Sequence, residues 1–481
     1  MSDQPTLPEP ARTRGMPLLA VIFVIVSIYA CAIYANLSFA VTKPADYRYF
    51  PPFRPGVNRN MNRHLGAEYY NIAKAMVKGE GFANPFWEQT GPTAWMAPVL
   101  PCILAIPIWA SGGNEDVLMM VFIFLQVTTL IATGLLVLAL ARRTTRRGGT
   151  FLASLLFLGA VLCHFHLCFQ FTHDCWVILL AVDLLVAGFC WLRPLRGWKT
   201  AGFWGLIGGF CALINPVTGF VWGVMSFVLA IRQRAWLRFG VAVFAAGLAL
   251  APWTVRNYRV FGRFIPVKSN LAYELYQSQC LQSDGLIQEG TFGSHPYASS
   301  GREREEYKAL GEMKFLDQKR EQFWRAVEAD PADFFDRAAN RFLGTTVWYV
   351  PYDRTGEPRQ RPWTYAIARW THPLPFIGLV ILLLSSFWKP LHPAQWSVMG
   401  IYVLYLLPYA AVSYYDRYGL PLIGVKVLLV IWGIDRLLFW RRKQAPAKEE
   451  PTLIFQAIEE PTLNGAASRA IASEGHVPGA R

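Results

Sequence analysis

The chain has 481 residues, 53% of them apolar, 15% aromatic and only 16% charged, which excludes an ordinary soluble domain. Several apolar runs reach the roughly 17–25 residues that cross a bilayer as a helix, the form that satisfies its own backbone in lipid. The net charge of +14 would suit a nucleic-acid binder, but the Lys and Arg cluster beside apolar segments, a topology signal that excludes nucleic acid as a partner.

Residues 1–15 are polar and Pro-rich and read as a disordered cytoplasmic segment. The first span is expected over Met16–Ala40; it is too long, and lacks a small-residue cleavage site, for a removed signal peptide, so it reads as a retained anchor. Residues 41–65 mix prolines, arginines and aromatics, as an interfacial loop does. A 3.6-residue spacing then predicts a helix over Ala67–Lys78, with Tyr69, Ile72, Ala73 and Met76 on one face and Gly79 and Gly81 as stops. Trp95–Ala110 is apolar but short and contains Pro98, Pro101 and Pro107. If it crossed, the Arg142, Arg143, Arg146 and Arg147 cluster would lie outside, so it is placed on the outer leaflet.

Further spans are expected over Val117–Ala141, Thr150–Phe169, Cys175–Leu192, twice within Ala201–Ile231 (broken at Asn215-Pro216) and over Phe239–Trp253. Residues 255–371 read as an extracytoplasmic insertion, helical from Arg302 to Arg325 and again from Asp330-Pro331, where Asp330 is the expected N-cap. Leu374–Trp388, Trp396–Val412 and Leu420–Trp440 complete the set. The expectation is an all-α polytopic protein of the cell (inner) membrane, with about ten transmembrane helices and both termini cytoplasmic. Its parts are a transmembrane core over 16–254 with an outward loop at 41–116, the insertion at 255–371, C-terminal spans over 372–440 and a disordered tail at 441–481. The tail repeats Glu-Glu-Pro-Thr-Leu at Glu449–Leu453 and Glu459–Leu463.

Glu68, at the start of the outward helix, is the first candidate for chemistry. A carboxylate beside apolar outer-leaflet surface needs a task or a partner, and Glu serves as a general base for a weak hydroxyl acceptor. The bland alternative is a first-turn carboxylate favoured by the helix dipole. Asp174, in the turn Gln170–Cys175, is a second outward acid, or the plain N-cap of the next span. Together the two could hold a base and its orienting partner, or a divalent metal. Cys163, His164, His166, Cys168, His173 and Cys175 match no standard zinc spacing and read as packing thiols and interfacial histidines. Arg256, Asn257, Arg259, Arg263 and Lys268 form an outward basic cluster, unusual under the positive-inside rule, and so a candidate phosphate site. Arg417 and Tyr418, in Asp-Arg-Tyr-Gly, are a second; Asp416 is the neighbour that could neutralise Arg417. Cys102 and Cys280 are both candidates to face outward, and nothing in the sequence pairs them.

An outward helix carrying an acid after the first span, followed by GEGFANPF and TGPTAWMAPVLP, resembles the first extracytoplasmic loop of the GT-C glycosyltransferases. Within them it is most similar to the bacterial dolichyl-phosphate-mannose-protein mannosyltransferase-like proteins. APWTVRNYRVFGRFIPVKSN, the later RYGLP and the helical stretch HPYASSGREREEYKALGEMKFLDQKREQFW resemble further parts of that group. The resemblance implies transfer of a sugar from a polyprenyl-phosphate-linked donor to a glycan, lipid or protein acceptor at the outer membrane surface. It implies that the first-loop acid is the base, that Asp174 assists, and that Arg256 or Arg417 meets the phosphate. The group's acidic pair lies one helical turn earlier; here Glu68 stands alone, four residues before Ile72, and Asp46, nearer the end of the first span, is the alternative acid. Two other readings stay open: a transporter or lipid-linked-sugar flippase, for which Asp183 is the one obvious mid-span acid, and a non-catalytic partner that holds a lipid-linked sugar.

Overall fold

The structure, a computed structural model, describes residues 17–42, 66–87, 89–145, 149–170, 173–298 and 301–438. Asp46 and most of the interfacial stretch, Arg146 and Arg147, the N-terminal segment and the repeat-bearing tail lie outside the described residues. Among those described, the architecture is helical, and the only extended pairings are isolated bridges at Ala83–Pro92 and Leu286–Tyr414.

Six helical segments are long and apolar enough to cross a membrane: Leu18–Ala35, Val117–Thr144, Cys175–Leu192, Pro216–Gln233, Trp236–Phe261 and Pro362–Ser386. They expose large apolar side chains such as Leu19, Phe244 and Leu384, a surface that suits lipid and not water. The other four expected spans are also helices, but shorter (Gly149–Cys163, Trp198–Ile214, Ile423–Leu438) or less apolar (Pro393–Ala411). The chain is therefore a multi-pass helical protein.

The N-terminal helices are α1 (Leu18–Thr42), α2 (Glu68–Val77), α3 (Val99–Ala110), α4 (Glu115–Thr144), α5 (Gly149–Cys163) and α6 (Cys175–Ala187). At 12 residues α3 is only about 18 Å long, too short to cross by itself. Next come α7 (Trp198–Ile214), α8 (Pro216–Gln233) and α9 (Trp236–Phe261). The break between α7 and α8 falls where expected. The side chain of Asn215 caps α8 by accepting from the Val217 N–H at 2.8 Å, and Pro216 takes the first helical position. Helix α7 lies against α9 through Gly205 and Gly209, where a Cβ would stand 2.1 Å from the Ala242 carbonyl and 2.7 Å from that of Ala246.

The insertion builds α10 (Leu271–Cys280), α11 (Arg302–Leu310), α12 (Glu312–Ala329), α13 (Pro331–Thr346), α14 (Gly356–Gln360) and α15 (Pro362–Thr371). Asp330 caps α13 as expected, accepting from the Asp333 N–H at 3.1 Å. The run Arg302–Arg325 is not one helix. It breaks at Gly311, whose φ of +75° and ψ of 161° only glycine adopts readily. Apolar helix also begins earlier than expected, because Pro362–Ser386 is one span-length segment joining α15 to α16 (Leu374–Ser386). Helices α17 (Pro393–Ala411) and α18 (Ile423–Leu438) close the fold.

Candidate functional site

The stretch after α1 is fastened to the insertion by polar bonds and aromatic packing. The carboxylate of Glu312, freed to turn back by the break at Gly311, accepts from the Thr93 hydroxyl at 2.5 Å, the Ala94 N–H at 2.9 Å and the hydroxyls of Ser269 and Tyr307 at 2.7 Å each. Beneath it Phe86, Trp95, Tyr273, Tyr307 and Phe315 form a buried cluster. From α9, the Arg256 guanidinium donates to the Phe82 and Thr93 carbonyls at 2.6 Å each and lies over the Trp253 ring.

This scaffold aims Glu68. Gly66 has φ +91° and Ala67, a non-glycine residue, has φ +56°. Such a backbone persists only when its surroundings enforce it, and it turns the chain sharply into α2. Glu68 opens that helix, 7% exposed, at the wall of a cavity of about 1750 Å³. Burial pushes its carboxyl from the ordinary 4.5 up to about 7, against the opposing effects of a backbone hydrogen bond and the positive charge of Arg417. His295 Nε2 stands 3.6 Å from Glu68 Oε1. The histidine sits among the rings of Phe86, Trp95, Tyr273 and Phe292, and this burial drops its pKa to about 3, so the ring is neutral. Its Nδ1 accepts from the Tyr297 N–H at 3.1 Å, which leaves the proton on Nε2, facing Glu68. The Nε2–H therefore faces the carboxyl from just beyond hydrogen-bond distance, and the contact is not an ion pair.

Across the cavity, Asp174 is the N-cap residue of α6, yet its side chain makes no capping bond. It accepts instead from the Tyr69 hydroxyl of α2 at 2.8 Å and stands 3.9 Å from Arg417. The Arg417 guanidinium also meets His173 Nδ1 and lies over the rings of Tyr415 and Tyr418, while its buried Nε has no partner in the protein. Burial works against the guanidinium's charge, but the acidic side chains facing it, the Asp174 carboxylate among them, hold its pKa above the usual arginine range, so it stays protonated. Acid, imidazole and cation thus surround one space whose other wall is apolar, including Tyr34, Leu162 and Phe220.

A scan against protein-family models and searches of curated proteins and of solved structures find no match for this chain. The site therefore rests on its own geometry.

Glu68, Asp174, Arg417, Tyr418 and Lys268 all line the cavity. Arg256, Asn257 and Arg259, of the same basic cluster as Lys268, do not. Arg256 is spent on backbone carbonyls, and buried Asn257 donates to the Ile265 carbonyl at 2.9 Å and accepts from Arg256 at 3.0 Å. Arg259 is exposed, and Arg263 pairs with Asp317 at 2.6 Å. Asp46 lies outside the described residues. No three His, Cys, Asp or Glu side chains converge as metal ligands among the described residues. His295 is the residue that sequence reading missed: nothing in Ser-His-Pro-Tyr marks it as the neighbour of an acid in a distant loop.

Proposed function

We propose that the chain is an integral membrane glycosyltransferase of GT-C type, moving a sugar from a polyprenyl-phosphate-linked donor to an acceptor at the extracytoplasmic surface. One observation carries the reading: a carboxylate held near neutrality, Glu68, faces an N–H donor inside a cavity that is polar on one side and apolar on the other. The apolar wall takes the first isoprene units of the lipid, and Arg417, with an unused Nε, takes the phosphate. Glu68 accepts the proton of the acceptor hydroxyl as its oxygen bonds to the anomeric carbon. The bond from that carbon to the phosphate oxygen breaks, and the electron pair leaves on the phosphate beside Arg417. Asp174 positions Arg417 and, through Tyr69, the first turn of α2. Such a positioned base contributes about 10²–10⁴-fold to rate.

Mass spectrometry of surface glycans with and without the chain tests the reading. The expected result is one missing sugar together with accumulation of an untransferred lipid-linked sugar. Unchanged glycans and lipid pools would overturn it. A non-catalytic holder of lipid-linked sugar would tolerate Glu68→Gln and Asp174→Asn, both of which abolish or cripple a transferase.

A further inference from the structure

Among the residues lining the cavity, three carry a buried polar atom with no hydrogen-bond partner in the protein: Nε of Arg417, Oδ1 of Asn270 and Nε2 of Gln277. The first is used by the proposed phosphate position. The other two are the N-cap residue of α10 and a residue of that helix, and Asn270, Glu274 and Gln277 follow each other at i, i+4 and i+7 along one face. All three line the cavity. Between the amides, Glu274 accepts from the Ser413 hydroxyl at 2.8 Å and from Asn270 Nδ2 at 3.2 Å. Asn270 is thus anchored by its NH₂ end with its carbonyl left over, and Glu274 keeps lone pairs to spare. Asn270 and Gln277 are each 2% exposed, so bulk water does not complete their hydrogen bonds. Unmade buried hydrogen bonds destabilise a fold, and each one needs a reason. Tyr418 adds an aromatic ring to the same wall; burial first, and then the nearby Glu274 carboxylate, push its phenol up.

An amide acceptor, a carboxylate and an amide donor along one helix face, beside an aromatic ring, match a ring that bears adjacent hydroxyl groups. We infer that this face of α10 is a carbohydrate subsite reading the hydroxyls of one sugar ring in the cavity. Ring hydroxyls donate to Asn270 Oδ1 and Glu274, and a ring oxygen accepts from Gln277 Nε2. The transferase reading supplies the source of the ring, the donor's sugar or an acceptor glycan, and the subsite chemistry is the same for both.

The test uses the full chain in lipid nanodiscs, with a panel of methyl hexopyranosides as probes, observed by saturation-transfer NMR. Tetrahydropyran-2-methanol, which lacks the ring hydroxyls, is the control. The expected result is saturation transfer to at least one glycoside and none to the control. Gln277→Met and Asn270→Leu weaken that binding tenfold or more, while the melting temperature of Gln277→Met equals or exceeds that of the wild type because a buried orphan amide is gone. A merely structural role would instead lower the melting temperature and leave glycoside binding alone in whatever fraction folds. Ser413→Ala, which removes the donor that holds Glu274, is a second variant and weakens binding with the fold kept. Displacement of the glycoside by polyprenyl-phosphate-hexose assigns the ring to the donor; simultaneous binding assigns it to the acceptor. No glycoside bound by the wild type, or wild-type binding by folded Gln277→Met and Asn270→Leu, overturns the subsite. If the wild-type chain transfers no sugar yet binds glycosides through Gln277 and Asn270, the transferase reading falls and the subsite stands.

Discussion

A buried acid whose carboxyl is raised from 4.5 to about 7 affects stability as well as reactivity. Between those two values the folded chain keeps a proton that the unfolded chain has released, so stability falls as pH rises through this window. The full loss, of the order of 3 kcal/mol, is present above pH 7 and absent below about pH 4.5. Glu68→Gln imitates the protonated form. It should raise the melting temperature at pH 8 and leave it unchanged at pH 4.5, as scanning calorimetry at the two pH values would read; equal shifts at both would contradict the burial argument. His295→Phe preserves the aromatic surroundings but removes the Nε2–H that faces the carboxylate. If that N–H closes on the carboxylate when substrate binds, the midpoint of the transfer rate should move to higher pH in the variant; an unchanged midpoint would leave His295 a packing residue only. At this scale the sequence exposed only half of the site. An acid beside an apolar segment is visible because carboxylates are costly there, and that marked Glu68 and Asp174. His295 was invisible because its place comes from rings contributed by separate elements, and sequence alone does not tell an arginine that ties down carbonyls, as Arg256 does, from one awaiting a phosphate.

At the scale of elements, Glu312 couples the loop between α2 and α3 to the segment that follows α9. Removing its carboxylate strands four donors, two of them on the loop segment Thr93–Ala94. Glu312→Ala should destabilise this region by about 3–5 kcal/mol, read as fast amide exchange over residues 82–97 with the spans still protected. Unchanged exchange there would show that the aromatic cluster alone holds the loop. The α7–α9 contact makes a separate prediction. Gly205→Leu drives a side chain into the Ala242 carbonyl, so the variant should lose several degrees of melting temperature or fail to fold, while Gly223→Leu, where a Cβ meets open space, should be near neutral. Helix ends set by backbone chemistry were readable in advance: Asn215-Pro216 and Asp330-Pro331 start helices through rules local to a few residues. The break at Gly311 was not, because a glycine within a charged helical run is often tolerated. What decides it is the tertiary demand that Glu312 reach back to Ala94.

For the whole molecule, composition and charge spacing disclosed a multi-pass helical protein, and every expected span coincides with a helix. The number that cross was less legible, since length and apolarity single out six segments and the rest are short or polar helices that need neighbours to satisfy them. Orientation can be measured directly. Cys280 is exposed in the insertion, so it should react with a membrane-impermeant maleimide added outside intact cells. Labelling only after permeabilisation would invert the topology and remove the site from the outer surface. The central claim, that Glu68 is the base of a sugar transfer, is tested most directly by the pH–rate profile of the chain reconstituted with a polyprenyl-phosphate-linked sugar and its acceptor. The wild-type rate should rise with pH to a plateau with a midpoint near 7, and Glu68→Gln should lose about 10²–10⁴-fold across the whole range. A Glu68→Gln rate close to wild type, with the same midpoint, would contradict it.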